Sequence, residues 1–567
     1  MISALGSRLF RRKTLEADVM KTELNRCLKT SDLVLIGIGS MVGSGMYVLT
    51  GEITHTTTGP AIVLSFLVAG LVSGLSAWCY AEFGSQVPKA GSAYVYTYLT
   101  IGEFAAFVIG WNLILEHVIG AAAIVRGLMG YINEISNEWF ENSLPETFQD
   151  QKFDPYTSVI VLVICCLVCL GVKESVLANN FLTLINISVA FFVIFGGIYF
   201  FNWSNFSSPD GFFPFGVGSI LDGAAQAYFA FVGYDSIAIA SEEALTPSFS
   251  IPFALAFDVL FVGSLYCAVS FSLILLVPYD KVDEDAAFAS AFKYNGWQWA
   301  AYVVSIGAIA AMTCAMLGTV FTMPRCIYAM ANDGLIFRTL AKVSLKTQTP
   351  IIATILGSLG IAVFAFFLTL NELAEFMSIG TLLAYIIIAL AVIVLRYSPN
   401  SLLKHSDLDL SINQGPRLGK AQINSLSLFV VMVMVTNLFI ACASWVSDEY
   451  LWPMVAVISI SSIITFVILI YLDAISTENP NLNEFRVPFV PYLPGLSVFI
   501  NFQLMTRLNY FTWIRFALWM LVGFVVYFLY GMRNSSLCRE KVENNQKVYG
   551  STDETKHLHE ESSITSE

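Results

Sequence analysis

Three glycines in seven residues, Gly39-Ser40-Met41-Val42-Gly43-Ser44-Gly45, stand in the middle of an otherwise apolar run from Asp32 to Glu52. Each costs a helix roughly 1 kcal/mol against alanine, so the run is disposed to open at mid-length. An opened helix bares N–H groups on one half and carbonyls on the other. Inside a bilayer such groups are tolerated only where protein or a watery cavity satisfies them. The chemistry on offer is recognition of a small zwitterion, carboxylate on the N–H end and amine on the carbonyl end. A packing role fits the glycines equally well, because small residues at this spacing let helices approach closely.

A second stretch repeats the pattern. Tyr228-Phe229-Ala230-Phe231-Val232-Gly233-Tyr234-Asp235-Ser236 places a glycine and then Tyr-Asp-Ser inside an apolar segment, about 190 residues after the first break. Asp235 or Ser236 is expected to cap the half-helix that follows, and for Asp235 that structural role is favoured over substrate contact. Paired interruptions at equivalent places in two halves are the sequence sign of an inverted-repeat transporter with a central site.

Ionisable groups inside apolar segments are functional candidates by default. Glu116, in GWNLILEHVIG, faces either a cavity and a substrate amine or the backbone of a broken helix. His117 is adjacent, and helix neighbours do not face each other, so it reads as a packing residue. Arg126 and Glu103 lie toward segment ends and are expected to snorkel. Glu82 reads as part of a structural gate. Asn186 and Thr313 either line the site or join helices. No cofactor, metal cluster or nucleophile constellation is present in the sequence. GIGSMVGSG only faintly resembles a phosphate loop and lacks the preceding strand, so the chain is expected to be neither an enzyme nor a nucleic-acid binder.

These residues sit in a chain of 567 residues that is 56% hydrophobic and 13% charged, with mean hydropathy +0.70. That composition describes an all-α polytopic membrane protein embedded in lipid, with no soluble domain. Apolar segments fall at about 32–50, 61–84, 94–128, 157–172, 178–201, 218–240, 252–278, 297–331, 350–370, 373–395, 425–446, 450–472, 489–506 and 513–532, giving fourteen candidate spans. The thirteenth is interrupted by Pro491 and Pro494. The organisation read from them is a cytoplasmic segment 1–31, a core 32–397 of ten spans, a loop 398–424, accessory spans over 425–533 and a disordered tail 534–567.

With the N-terminus placed in the cytoplasm, Lys152, Lys281, Lys293, Arg507 and Arg515 fall outside and Arg126 within a span, leaving 23 of the 29 basic residues cytoplasmic. Both termini are then cytoplasmic. No cleavable signal is visible. The sequons at Asn202 and Asn205 fall in an outside loop and are glycosylation candidates. None of the ten cysteines lies in an outside loop, so no structural disulfide is expected. Cys165, Cys166 and Cys169 read as packing residues. The net charge of −13 is concentrated in outside loops and the tail. There it forms a solvated surface that also favours cations at the mouth.

The stretches GIGSMVGSGMYVLTGE, CYAEFGSQVPKAGSAYVY, GWNLILEHVIGAA, LGVKES, FAFVGYDSIA with SEEA, MPRCIYAMANDGL, FMSIGTLLAY, FRVPFVPYLPGLSVFINFQLM and TWIRFALWMLVGFVVYFLYG cover about residues 25–533. Through them the chain resembles the cationic amino acid transporters of solute carrier family 7, in the amino acid–polyamine–organocation superfamily.

The resemblance implies a five-plus-five inverted-repeat core with helices 1 and 6 broken, followed by extra spans. It implies transport of cationic L-amino acids, with the carboxylate on the N–H groups of Gly43, Ser44 and Gly45. The amine then meets carbonyls near Met41, with Val42 beside it, and at Phe229, Ala230 and Val232. Tyr234 matches an aromatic gate, and Glu116 a span-3 glutamate of some relatives. The chain looks unlike the subfamily that is disulfide-linked to a heavy chain. Three departures qualify the likeness. Asn186 replaces a lysine tied to proton coupling in bacterial relatives, which favours facilitated transport. The loop 244–250 lacks the usual basic residues. MVGSG with a span-3 glutamate is closer to a branch whose members include intracellular carriers and carriers of neutral amino acids. The plasma membrane is the expected location. The alternatives are a neutral amino acid or GABA carrier of an internal membrane, and a transporter-like sensor.

Overall fold

The computed structural model describes residues 11–12, 28–87, 92–136, 139–143, 155–169, 176–206, 211–284, 286–343, 350–397, 418–443, 448–476 and 485–537. The expected tail beyond Leu537 and most of the N-terminal segment and of the loop 398–424 lie outside these residues, as do the side chains of Cys166 and Cys169; the first tail residues are ordered against the bundle, with Ser535 buried rather than part of a disordered tail.

Among the described residues the chain is helical, without strands; one parallel bridge joins Leu28 to Ala244. Helix α1 (Thr30–Met41) leads into a helical continuation over 45–58 and, after a turn, α2 (Ile62–Gln86). Next come α3 (Ser92–Thr100), α4 (Glu103–Ile135), α5 (Pro155–Cys169) and α6 (Val176–Tyr199). The second half opens on α7 (Ser219–Ala227) and α8 (Asp235–Ile239), with a tight turn between them. It continues through α9 (Pro247–Leu276), α10 (Ala287–Tyr294), α11 (Gln298–Asn332), α12 (Ile351–Phe367) and α13 (Leu370–Arg396). Four more follow: α14 (Lys420–Ala443), α15 (Asp448–Ala474), α16 (Tyr492–Met505) and α17 (Tyr510–Val526). Each of the fourteen apolar segments contains helix. By length and composition, nine helices among the described residues suffice to cross a bilayer, and three apolar helices are shorter.

The order is two five-segment halves, each opening on a broken helix, which is the architecture of an inverted-repeat transporter. Helices α4 and α13 are buried along most of their length, so they form the centre. Helices α14, α15 and α17 bury only 28% of their apolar window and form the rim.

Four sequence expectations change. The segment 94–128 is two helices, parted at Gly102 with φ 137°, a one-residue reversal that hydropathy does not register. Glu103 does not snorkel. It is buried and accepts bonds from the hydroxyls of Tyr98, Tyr527 and Ser535 at 3.3, 3.2 and 2.7 Å. Arg126 turns inward, its guanidinium donating to the carbonyls of Ala365 and Phe366 at the end of α12, a favourable place for a cation. Asn205 is buried with its amide nitrogen donating to the Leu275 carbonyl at 3.2 Å, so it is no glycan acceptor. Asn202 is exposed.

Glu82, read as part of a structural gate, is engaged in contacts between helices. Its carboxylate accepts from Nε and Nη2 of the buried Arg396 guanidinium at 2.7 and 3.1 Å and from the Val487 N–H at 2.8 Å. Helices α2 and α13 and the segment before α16 are thereby fastened together. Breaking such a buried pair by removing one partner costs about 3–5 kcal/mol.

Candidate functional site

Helix α1 stops at Met41; Val42 leaves the helical region (φ −81°, ψ 88°) and helix resumes at Gly45. Among the described residues no backbone acceptor pairs with the N–H of Gly43 or Ser44, and the Gly45 N–H opens a helix, where donors lack intrahelical partners. All three residues are buried. On the carbonyl side, Asn186 of α6 donates its amide to Val42 at 2.5 Å and accepts from the Tyr47 hydroxyl at 2.7 Å. Asn186 therefore holds the break open at a fixed width, acting as a join between helices.

The second interruption runs from a 3-10 turn (Tyr228–Phe231) through extended Val232 to Gly233 at φ 126°. Helix α8 begins at Asp235, one residue after the geometric cap Tyr234, which makes no side-chain cap bond. Asp235 thus stands in the first turn, where a carboxylate favours the helix dipole, rather than at the cap position itself.

Both interruptions meet at one side chain. The Tyr266 hydroxyl of α9 lies 2.8 Å from the Met41 carbonyl oxygen and 2.9 Å from that of Ala230. Its ring is wedged against Phe66 and Phe231. Of the other expected acceptors, Phe229 takes the Val232 N–H at 3.1 Å. A Cβ on Gly45 would sit 2.6 Å from the Ala230 backbone, and one on Gly233 2.8 Å from the Ser40 carbonyl, so the two broken segments touch. Ser236 donates to the Ser40 hydroxyl at 3.1 Å.

Beside the second break lies a cluster of acids and phenols. Glu116 and Asp235 are buried within electrostatic reach of each other, and Thr381 also borders Glu116. Rings of Tyr80 (α2), Tyr234 and Tyr385 (α13) meet pairwise with centroids 5.3–5.7 Å apart. Their three hydroxyls are buried, with no hydrogen bond of ordinary geometry among the described residues. His117 bonds the Leu113 carbonyl at 2.7 Å, as a packing residue does, and also lies within reach of Asp235. Carboxyl oxygens and phenol hydroxyls walled by aromatic faces offer acceptors and π faces to a cationic group. The fourth ring, Tyr228, is satisfied by Asn501 of α16 at 3.2 Å. A helix outside the repeats therefore reaches the core.

Sequence reasoning brings together Met41, Val42, Gly43, Ser44, Gly45, Phe229, Ala230, Val232, Tyr234 and Glu116, and the structure sets these around the two breaks and the adjoining cluster. It missed Tyr266, Tyr80 and Tyr385, because a tyrosine in an apolar helix reads as packing and nothing in the pattern shows what its hydroxyl meets. Thr313 is half-buried on α11. Away from the breaks, Asp280, Asp283 and Glu284 line an open hollow of about 780 Å³ with His55, Lys281 and Lys293. Glu284 pairs with His55 at 3.2 Å there, and Lys293 with Glu134 at 3.1 Å, so the hollow is charge-mixed rather than uniformly acidic.

Two broken helices that meet inside a bundle of apolar helices define a multi-pass membrane transporter of the inverted-repeat class. The amino acid permease family model matches residues 28–480 and that for the C-terminus of amino acid permeases matches residues 485–535. Mouse "Cationic amino acid transporter 4" is 38% identical, over 93% of this chain and 90% of its own length. The human protein of the same name is 36% identical, over 97% and 93%. "Cationic amino acid transporter 2, vacuolar" of Arabidopsis thaliana is 34% identical, over 91% and 90%. Among solved structures, MhsT in complex with L-phenylalanine matches 65% of this chain and 90% of its own, at 15% identity and TM-score 0.47. The chain belongs to the amino acid permease family, within its cationic amino acid transporters, and it transports amino acids.

Proposed function

We propose that the cargo is a cationic L-amino acid (arginine, lysine or ornithine), carried by alternating access. The observation that carries this reading is the cluster beside the second break. Glu116 and Asp235 stand with three tyrosine hydroxyls that make no hydrogen bond of ordinary geometry among the described residues, a lining that suits a guanidinium or ammonium group. The cargo carboxylate docks on the N–H groups of Gly43, Ser44 and Gly45. Its α-amine lies near the Met41, Phe229, Ala230 and Val232 carbonyls, where the Tyr266 hydroxyl marks the place at which two of them converge. The side chain then enters the tyrosine-lined pocket, with Tyr234 at its entrance. The names of the relatives support the same cargo.

With one net charge moved per cycle, a potential of 100 mV is worth ~2.3 kcal/mol, enough to concentrate cargo roughly fifty-fold without ion coupling. The protein works in the plasma membrane with both termini cytoplasmic and without a disulfide-linked heavy chain. Uptake of labelled arginine into proteoliposomes under an imposed potential, with leucine and GABA as competitors, tests this. Inside-negative potential should raise uptake and neutral competitors should not block it. Potential-independent uptake that leucine or GABA suppresses marks a neutral carrier, and binding without flux marks a sensor.

A further inference from the structure

Asp258 lies midway along α9, fully buried, with neither carboxyl oxygen hydrogen-bonded among the described residues. Its carboxyl fills the space in front of Gly37 on α1, where a Cβ would overlap it, and Ile237 of α8 closes the same space. Asp258 therefore sits in the seam where α1, α8 and α9 meet. The seam is fastened on both sides of it. At the Thr30 end, the Thr30 and Ser250 hydroxyls bond at 2.8 Å and the Leu245 N–H donates to Leu28 at 3.0 Å. At the other end stands Tyr266 with its two carbonyls.

The titratable groups on the neighbouring elements are engaged elsewhere. On α1, Asp32 accepts from the Lys29 N–H and from Asn180. On α2, Glu82 pairs with Arg396 and Tyr80 joins the tyrosine cluster, while Cys79 is a buried thiol. On α8, Asp235 faces Glu116 and His117. On α10, Lys293 pairs with Glu134. The residues of α6 that meet α1, Asn180, Thr183 and Asn186, do not ionise. The side chains of Glu242 and Glu243, after α8, fall outside the described residues. Among the described residues neither oxygen of the Asp258 carboxyl has a hydrogen-bond partner.

An ionised carboxylate here would be a buried charge without a partner. A metal ion would need several oxygen ligands, and the wall offers the α-carbon of Gly37 and a methyl of Ile237. The ligand that fits is a proton. We propose that Asp258 is a proton-binding site in the α1–α8–α9 seam. Protonated, it lets α1 seat against α9. When the two part, the O–H bond breaks, the proton passes to water and the carboxylate is left hydrated. The parting of α1 rests on the alternating-access reading above. Transport is then linked to pH on the side where α1 begins, although Asn186 has nothing to titrate.

The test uses the full chain, purified and reconstituted. In a cargo-free infrared pH titration, the wild type should show the C=O stretch of a protonated carboxylic acid that Asp258→Asn lacks. In arginine counterflow, the wild-type rate should fall as pH is lowered on the α1 side, by at most about tenfold per pH unit for a single proton. Asp258→Asn should be flat at the acid-limb rate. Asp258→Ser, which also cannot titrate, serves the same comparison if the asparagine variant does not fold. A band or pH slope that survives either substitution overturns the proposal, as does a wild type with neither. If arginine does not move at all, the reading of the cargo fails while the infrared comparison still decides the proton site.

Discussion

The two broken segments are built differently. The second is written into its own backbone: Gly233 holds φ 126°, which a side chain resists, and its α-carbon lies against the Ser40 carbonyl. The first has no residue at positive φ from Gly39 to Gly45. It is kept open from outside, by Asn186 on the Val42 carbonyl and Tyr266 on that of Met41, while Gly45 only makes room for Ala230. The second break is fixed largely by its own backbone, and the first depends on two neighbouring helices, α6 and α9. An element held by its neighbours changes when they move, so the first break is the one suited to respond to a rocking bundle, with the second as its fixed counterpart.

Substitutions can break that contrast. The largest loss is expected from Gly233→Ala, where backbone strain of about 1–3 kcal/mol adds to overlap with the Ser40 backbone. Thermal unfolding in detergent should show it, with transport abolished. Gly45→Ala should cost about 1–3 kcal/mol by overpacking against Ala230, read in the same assay. Asn186→Leu leaves the Val42 carbonyl and the Tyr47 hydroxyl unpaired. It should cost about 1–3 kcal/mol and raise hydrogen exchange around residues 40–48 while leaving 228–236 protected. Equal loosening of both stretches would erase the distinction.

Glu116→Gln should lower arginine uptake at matched surface expression with little change in stability. Unchanged uptake removes Glu116 from cargo selection. The smallest effect on folding belongs to Gly43→Ala, whose Cβ would meet Ala315 at an ordinary 3.5 Å. A stability change within about 0.5 kcal/mol is expected, so any large loss of arginine binding in this variant reports on the site alone.

The breaks were legible because glycine is the residue that helices and bilayers both penalise; clusters of it amid long apolar runs leave few explanations. Glu116 was legible for the same reason: a carboxylate at depth stands out. Glu103 and Arg126 were misread, since snorkelling is the rule for a lone charge near a helix end. Nothing local shows that Tyr98, Tyr527 and Ser535 surround one and the Ala365 and Phe366 carbonyls the other. Asn205 failed likewise, because a sequon carries no information about burial.

The chain's own residues thus determine that it spans a membrane as helices, where two of those helices give way, and which family it belongs to, since hydropathy, glycine and motif spacing are properties of neighbours in sequence. Only the folded arrangement decides that one tyrosine ties both interruptions, that three phenols gather beside two acids, and that Asp258 lies against Gly37 and Ile237. Those contacts join residues far apart in the chain, and a side chain's partner across a bundle is fixed by helix rotation and depth, quantities no local pattern encodes.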